Sequence, residues 1–288
     1  MKWVIPAKTF LVGEYVAMGG GPAILLTTFP CFELRVLSTP GCLGIHPDSP
    51  AGKFWAKNRH QQGLSWFDPY QGRGGMGASS AQFLGIYLAA ARQQQTRLDA
   101  QVMLDTYLEV AWSGEGQAPS GYDVMAQAFY GCVFLHQACI QDVPYLWCFQ
   151  DVAFVLVHTG QKLATHDYLK QAHLYPDTMN RLAHLVWSAR EAFQQTNSAQ
   201  LIEVVNAYYR ELCRMNLVAL HTLSVVEQLA QEEDVLAIKG CGAMGVDVLL
   251  LLVPSTRLTA VTNKLSIQGY HLLATSADLY QGPGLLNG

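Results

Sequence analysis

"YQGRGGMGASSAQF", residues 70 to 83, sets four glycines in six positions ahead of a run of small residues. Three phosphate-binding patterns fit it. Gly72, Gly74 and Gly77 spell G-x-G-x-x-G, the dinucleotide fingerprint. Gly72 and Gly77 match a P-loop, with Ala78 where its lysine belongs. In the third, Gly75 to Ala81 form a glycine–serine loop that opens a helix, whose free amides and dipole attract an anion.

Context removes the first two. The fingerprint needs a hydrophobic strand just before it to aim the turn at a pyrophosphate. Here "RHQQGLSWFDPY" is polar and broken by proline, and Asp99, the acid some 20 residues on, lies among "QQQTRLDAQ". The P-loop reading lacks the one side chain of that motif that pairs with the transferring phosphate. The third needs only small residues, exposed amides and a helix start, and in it Gly72 and Gly74 become incidental. A flexible glycine loop capped by serine is its plain structural alternative.

The 288 residues suffice for one large or two medium domains with a sizeable core. Half the chain is hydrophobic and 14% is charged, against roughly 25% charged in average globular proteins. A net charge of −4 gives no reason to expect nucleic acid or a membrane surface as partner. The seven cysteines contain no C-x-x-C pair, which argues against a zinc site or disulfide framework and for a reducing compartment. In the opening "MKWVIPAKTFLVGEY", Pro6, Lys8 and Glu14 interrupt the apolar run, unlike a signal peptide. The longest apolar run, "VLLLLV" at 248 to 253, is far below the ~20 residues that cross a bilayer. A cytoplasmic protein is the expectation.

Short apolar runs open the chain, "KWVIP", "TFLVG", "PAILLTTF" and "CFELRVL", and read as strands joined by tight turns. Residues 41 to 75 read as an irregular excursion. Helices are expected from Ala78 to about Arg92 and over "DAQVMLDTYLEVAW", with apolar residues at helical spacing. Strands "GCVFLH" and "VAFVLVH" flank a polar segment that holds a domain boundary near residue 148. Two or three helices follow from about Asp177 to Glu233. The turn "IKGCGAMG", the strand "VDVLLLLV", then a helix and the strand "YHLLATS" complete the chain. Strands and helices mix without regular alternation, which favours α+β over a doubly wound sheet.

Four stretches then stand in one order: "PAKTFLVGEYVAMGGGPAI" from Pro6, "GGMGASSA" from Gly74, "PSGYDVMAQAFYG" from Pro119 and "KGCGAMGVDV" from Lys239. In this order they resemble the GHMP kinases, the family of galactokinase, homoserine, mevalonate and phosphomevalonate kinases. The resemblance spans residues 6 to 248. It implies a two-domain α+β fold. Residues 1–148 would be a mixed α+β domain with a left-handed βαβ-type ATP site, and residues 149–288 a ferredoxin-like α+β domain. It also implies phosphoryl transfer from ATP with Mg2+, which needs charge neutralisation and alignment more than covalent chemistry.

By that resemblance, Asp123 and Lys8 form the catalytic pair. Asp123 orients or deprotonates an acceptor, and Lys8 reaches the transferring phosphate or the acceptor. Read without it, Asp123 is a good helix N-cap and Lys8 an ordinary solvated lysine. Gly75, Gly77, Ala78, Ser79 and Ser80 face the triphosphate. Ser79 or Ser80, with Glu109 or Glu115, would hold magnesium. Glu14, Tyr15, Ser120, Gly121, Thr165, His166, Gly242 and Ala243 would bind the acceptor, with Lys162 beside them. Read without the resemblance, Glu14 is the end of a strand and Glu109 a solvated helix position. The closing motif departs from the family at Cys241, Met244 and Val246, so the last two side chains must point away from a substrate that approaches their backbone.

Asp247 and "SGYDVMAQAFYG" resemble family members that act on phosphomevalonate, whereas Pro119 in "PSG" resembles those acting on the hydroxyl of mevalonate. Phosphomevalonate is the acceptor expected first and mevalonate second. A non-catalytic sensor of nucleotide or isoprenoid phosphate is the remaining reading. The partners are small molecules, and a monomer and a homodimer both stay open.

Overall fold

The computed structural model describes residues 1–58, 62–137, 139–140, 144–160 and 176–286. The first half builds a six-stranded sheet around one long strand, β2 (Ala23–Leu37). One edge of β2 pairs antiparallel along its length with β1 (Lys2–Val12). The other edge is shared by two strands. β4 (Gly63–Phe67) pairs with residues 33 to 37, and β5 (Cys132–His136) with residues 23 to 26. Leu279 and Tyr280, from near the end of the chain, close part of the gap by bonding to Thr27 and Thr28. Two-residue strands β3 (Cys42–Leu43) and β6 (Cys139–Ile140) finish the edges.

The sequence suggested four short opening strands, and the structure has two long ones. Pro6 stays inside β1 because the register slips between Ile5 and Ala7, where a residue without an N–H does no harm to the ladder. Residues 41 to 75 are not an irregular excursion. They contain β3, β4 and the helix α1 (Pro50–Lys57). Ser49 caps α1 by accepting from the Gly52 amide, and Pro50 fills the first helical turn, where its missing N–H costs nothing.

Three further helices complete this half: α2 (Ala78–Gln94), α3 (Ala100–Ala111) and the short α4 (Tyr122–Gln127). Asp99 caps α3 by accepting from the amides of Gln101 and Val102.

The second half is a four-stranded antiparallel sheet of β7 (Val152–His158), β8 (Ala237–Cys241), β9 (Val248–Pro254) and β10 (His271–Thr275), ordered β10-β7-β9-β8. Helices α5 (Pro176–Gln195), α6 (Ser198–Arg214) and α7 (Leu220–Leu229) connect its first and second strands, and α8 (Leu258–Ile267) its third and fourth. This is the split βαβ arrangement of ferredoxin-like domains. Side chains alternate across a strand, and here both faces are covered. Phe154, Leu156, Leu250 and Leu252 join the main core, while Val155, Val157, Leu249 and Leu251 pack with Val226 of α7 and Leu265 of α8. That double burial explains the unbroken apolar run of β9.

The main core takes in residues of both sheets, and a polar bolt crosses between them. Glu14 Oε1 lies 2.8 Å from Lys239 Nζ on β8, with their side chains 2% and 0% exposed. Burial pushes the Glu14 carboxyl above the ordinary carboxylate range, and the Lys239 ammonium pulls it back. Beside it the Tyr15 hydroxyl donates to Leu217 O at 2.9 Å and accepts from Met244 N at 2.8 Å. Among the described residues, no helix is long and apolar enough to cross a membrane.

Removing one partner of a buried ion pair strands the other charge without water or counter-ion. Lys239→Met should therefore destabilise the fold by about 3–5 kcal/mol. Glu14→Gln in the same chain should restore most of the loss. Urea unfolding of the wild type, the single and the double variant measures both effects.

Candidate active site

The site is assembled where β1, the glycine loop and α4 meet. Lys8 sits in the middle of β1, and its backbone amide donates to Met76 O of the glycine loop at 3.0 Å. Its ammonium ends 2.7 Å from Asp123 Oδ1. The lysine side chain is 8% exposed and the aspartate 39%, so the carboxylate is the member of the pair that solvent, or a ligand, can reach. Asp123 lies in the first turn of α4, which starts after Gly121.

Gly77 caps α2 with φ at +81°, in the left-handed region that favours glycine. A Cβ built there would lie 2.9 Å from Lys8 Cγ, Lys8 Cε and Gln127 Nε2. Its absence lets the start of α2 rest directly against the lysine. The Gly77 carbonyl accepts the first helical bond, from Ala81 N, and a second from Ser80 Oγ at 3.1 Å. The amides of Ala78, Ser79 and Ser80 precede any helical acceptor and lie at the positive end of the dipole. Ser80 is buried and bonded back onto the loop, whereas Ser79 is exposed. A ligand at this helix start would meet the Ser79 hydroxyl.

Gly74 is not incidental. A Cβ there would lie 2.4 Å from Asp247 Oδ2, and one on Gly75 would lie 2.4 Å from Val248 Cγ2. The glycine loop is thus laid against the start of β9. Gly72, by contrast, faces open space.

Two residues expected at the acceptor, Glu14 and Tyr15, lie apart from the Lys8–Asp123 pair. Glu14 is turned inward onto Lys239, and Tyr15 is buried with its hydroxyl bonded to backbone. Both hold the two sheets together and do not join the Lys8–Asp123 pair. Ser120 and Gly121 lie beside Asp123, where Ser120 Oγ accepts from Tyr122 N. In the closing motif the Met244 amide is taken by Tyr15 and the Gly245 amide by Gly242 O. Met244 and Val246 bury their side chains with Ala219, so the backbone of Gly242 and Ala243 is what this turn has left to offer. Thr165 and His166, with Lys162, lie outside the described residues.

The carboxylates expected for magnesium are not gathered. Glu109, 68% exposed, is ion-paired with Lys57 of α1 at 2.7 Å. Glu115 is exposed in the segment between α3 and α4. Among the described residues, no group of three or more His, Cys, Asp or Glu is placed to hold a metal. The donor set fits a magnesium ion brought in on phosphate oxygens, which needs only one or two protein ligands, and not a cage made of protein.

Gln127, which sequence reasoning passed over, lies at the centre of the site. Fully buried, it donates from Nε2 to Pro6 O at 2.9 Å and to Gly77 O at 3.1 Å. The available signal was its place four residues after Asp123, on the same face of a helix.

Beside the loop, His158 closes β7 and pairs in register with His271. Its Nδ1 accepts from Gly160 N at 3.0 Å. Burial holds its pKa below the usual 6.5; Asp247 pulls it up, and Arg73 and His271 push it further down. The unfolded chain therefore binds this proton more readily than the folded one. The stability tied to a neutral His158 is present above 6.5 and is lost as pH falls through that value. His158→Gln should lose less stability than the wild type between about pH 7.5 and 5.5, as read from urea midpoints at the two pH values.

No protein-family model and no curated protein matches the chain. Solved structures do match, over nearly its whole length. The Methanococcus jannaschii mevalonate kinase superposes with a TM-score of 0.77 at 12% identity, covering 98% of both chains. A Streptococcus pneumoniae phosphomevalonate kinase, solved with phosphomevalonate and AMPPNP, gives 0.76 at 16% identity over 96% of this chain and 99% of that one. A Lactococcus lactis galactokinase holding galactose gives 0.71 at 13% identity over 98% and 94%. Superposed on these kinases over 96–98% of its length, this chain has the fold of the GHMP kinases.

Proposed function

We propose that the chain is an ATP-dependent small-molecule kinase of the mevalonate type, a GHMP-family phosphotransferase that passes the γ-phosphoryl group of ATP to phosphomevalonate. Residues 1–148 would carry the donor machinery, and residues 149–288 would form the second domain. The observation that carries this reading is the Lys8–Asp123 contact of 2.7 Å, set directly against the Gly77 start of α2. A buried cation, a reachable carboxylate and three free amides at a helix start are the parts that phosphoryl transfer needs.

In this reading the Ala78, Ser79 and Ser80 amides hold the donor phosphates. The exposed Ser79 hydroxyl would hold a nucleotide-borne magnesium ion, whose charge offsets that of the phosphates. An acceptor oxygen forms a bond to the γ-phosphorus as the bond to the β-phosphate oxygen breaks and ADP leaves. A phosphate-monoester acceptor is already anionic near neutral pH, so the Lys8 charge, by offsetting repulsion between two phosphates, matters most. With the hydroxyl of mevalonate, Asp123 would orient the acceptor and take its proton. Asp247 and the "SGYD" context favour phosphomevalonate. Pro119 in "PSG" supports mevalonate as the second reading. Asp247 also lies against Gly74, so the residue that suggests the acceptor shapes the donor loop.

ADP release coupled to a reporter reaction, with mevalonate and phosphomevalonate supplied in turn, tests the assignment. Turnover on phosphomevalonate is expected, with Asp123→Asn, which removes the carboxylate that holds the Lys8 ammonium in place, lowering it at least ~10²-fold while ATP binding persists. Near-full activity in that variant would remove Asp123 from the chemistry. ATP binding without turnover on either acceptor would point to a sensor. Turnover only on a sugar or an amino acid would overturn the pathway and keep the kinase.

A further inference from the structure

Asp123 and Gln127 open and close one face of α4, a helix of six residues. The first meets the Lys8 ammonium, and the second reaches past the lysine stem to two carbonyls that belong to different elements. Pro6 O lies at the register slip of β1, two residues before Lys8. Gly77 O is the cap of α2. One amide group thus fastens the strand that carries the lysine to the helix that presents the phosphate-binding amides.

Both Nε2 hydrogens are used, and Oε1 is buried with no hydrogen-bond partner among the described residues. Leaving a buried acceptor unsatisfied costs stability, which the two bonds from Nε2 offset at this position. A glutamate of the same shape would offer no donor to either carbonyl and would set a negative charge beside the Lys8 stem. A methionine would fill the space without making either bond.

From this we infer that Gln127 is a positioning residue, which sets the distance between the donor-phosphate amides of α2 and the Lys8–Asp123 pair. The inference rests on the kinase reading for its catalytic consequence, and on the hydrogen bonds alone for its structural one. A misplacement of about 1 Å between donor and acceptor groups can cost ~10²-fold in rate while leaving each separate binding event nearly intact. Gln127 should therefore act on kcat and barely on KM.

Two measurements on the full-length wild type, Gln127→Met and Gln127→Glu test this. Steady-state kinetics should show kcat reduced roughly 10- to 100-fold in both variants, with KM for ATP within about threefold of wild type. Amide hydrogen exchange should show the Lys8 N–H, bonded to Met76 O, losing protection about tenfold in Gln127→Met, while β9 in the other sheet keeps its own. Unchanged protection at Lys8 overturns the inference whether or not the protein turns over. So does protection lost equally in both sheets, which marks a merely structural role, and so does a kcat within twofold of wild type. If the wild type phosphorylates no acceptor, the kinase reading fails, and the exchange experiment still decides whether Gln127 is the clamp.

Discussion

The site depends on the backbone of Gly77 lying flat against the side chain of Lys8. No other residue allows it: a single Cβ would enter the space held by the lysine stem and by Gln127. From that contact follow the left-handed cap of α2, the placing of its first-turn amides and the burial of the lysine. Its ammonium is thereby delivered to Asp123 and kept from water. The absence of a lysine at position 78, which disqualifies a P-loop, is consistent with this layout. The cation comes from a strand 70 residues earlier, and the helix start stays small enough for an anion to approach.

A second polar contact does work of a different kind. Glu14 and Lys239 carry opposite charges in a place with almost no water, and Tyr15 spends its hydroxyl on two backbone groups of the second half. Residues of the opening motif thereby hold the closing motif in register. The same contacts use up the Met244 amide, so that turn offers less backbone to a ligand than its glycines suggest. Neighbours in one short motif have separated into two places, Lys8 beside Asp123 and Glu14 and Tyr15 inside the bolt.

Much of the architecture was legible from local pattern. Helical spacing found α2 and α3, and apolar runs found β5, β7 and β9. The mixed order of elements indicated α+β. The errors have physical causes. Pro6 and Pro30 made two long strands look like four short ones, because bulged or irregular pairing tolerates proline where regular pairing does not. Ser49–Pro50 was a readable helix start that polar and aromatic surroundings obscured. Gly74 looked incidental because the carboxylate it accommodates, Asp247, is more than 170 residues away in sequence. The spacing of Gln127 from Asp123 marks a shared helix face, but its role rests on carbonyls of Pro6 and Gly77, 121 and 50 residues away, which no local pattern shows.

By itself the sequence determined the classes of element, the helix that opens at Ala78, and a short supply of charged groups near the glycine motifs. Two lysines and three acids were available there: Lys8, Lys239, Glu14, Asp123 and Asp247. Which acid meets which lysine was decided by tertiary structure. The partners in each pair are 115 and 225 residues apart, and no periodicity of 2 or 3.6 residues reaches that far. Strand register put Lys8 beneath the glycine loop, and the packing of β1 on β8 closed over Glu14 and Lys239. Burial then made one pair a bolt, and partial exposure left the other open to a ligand.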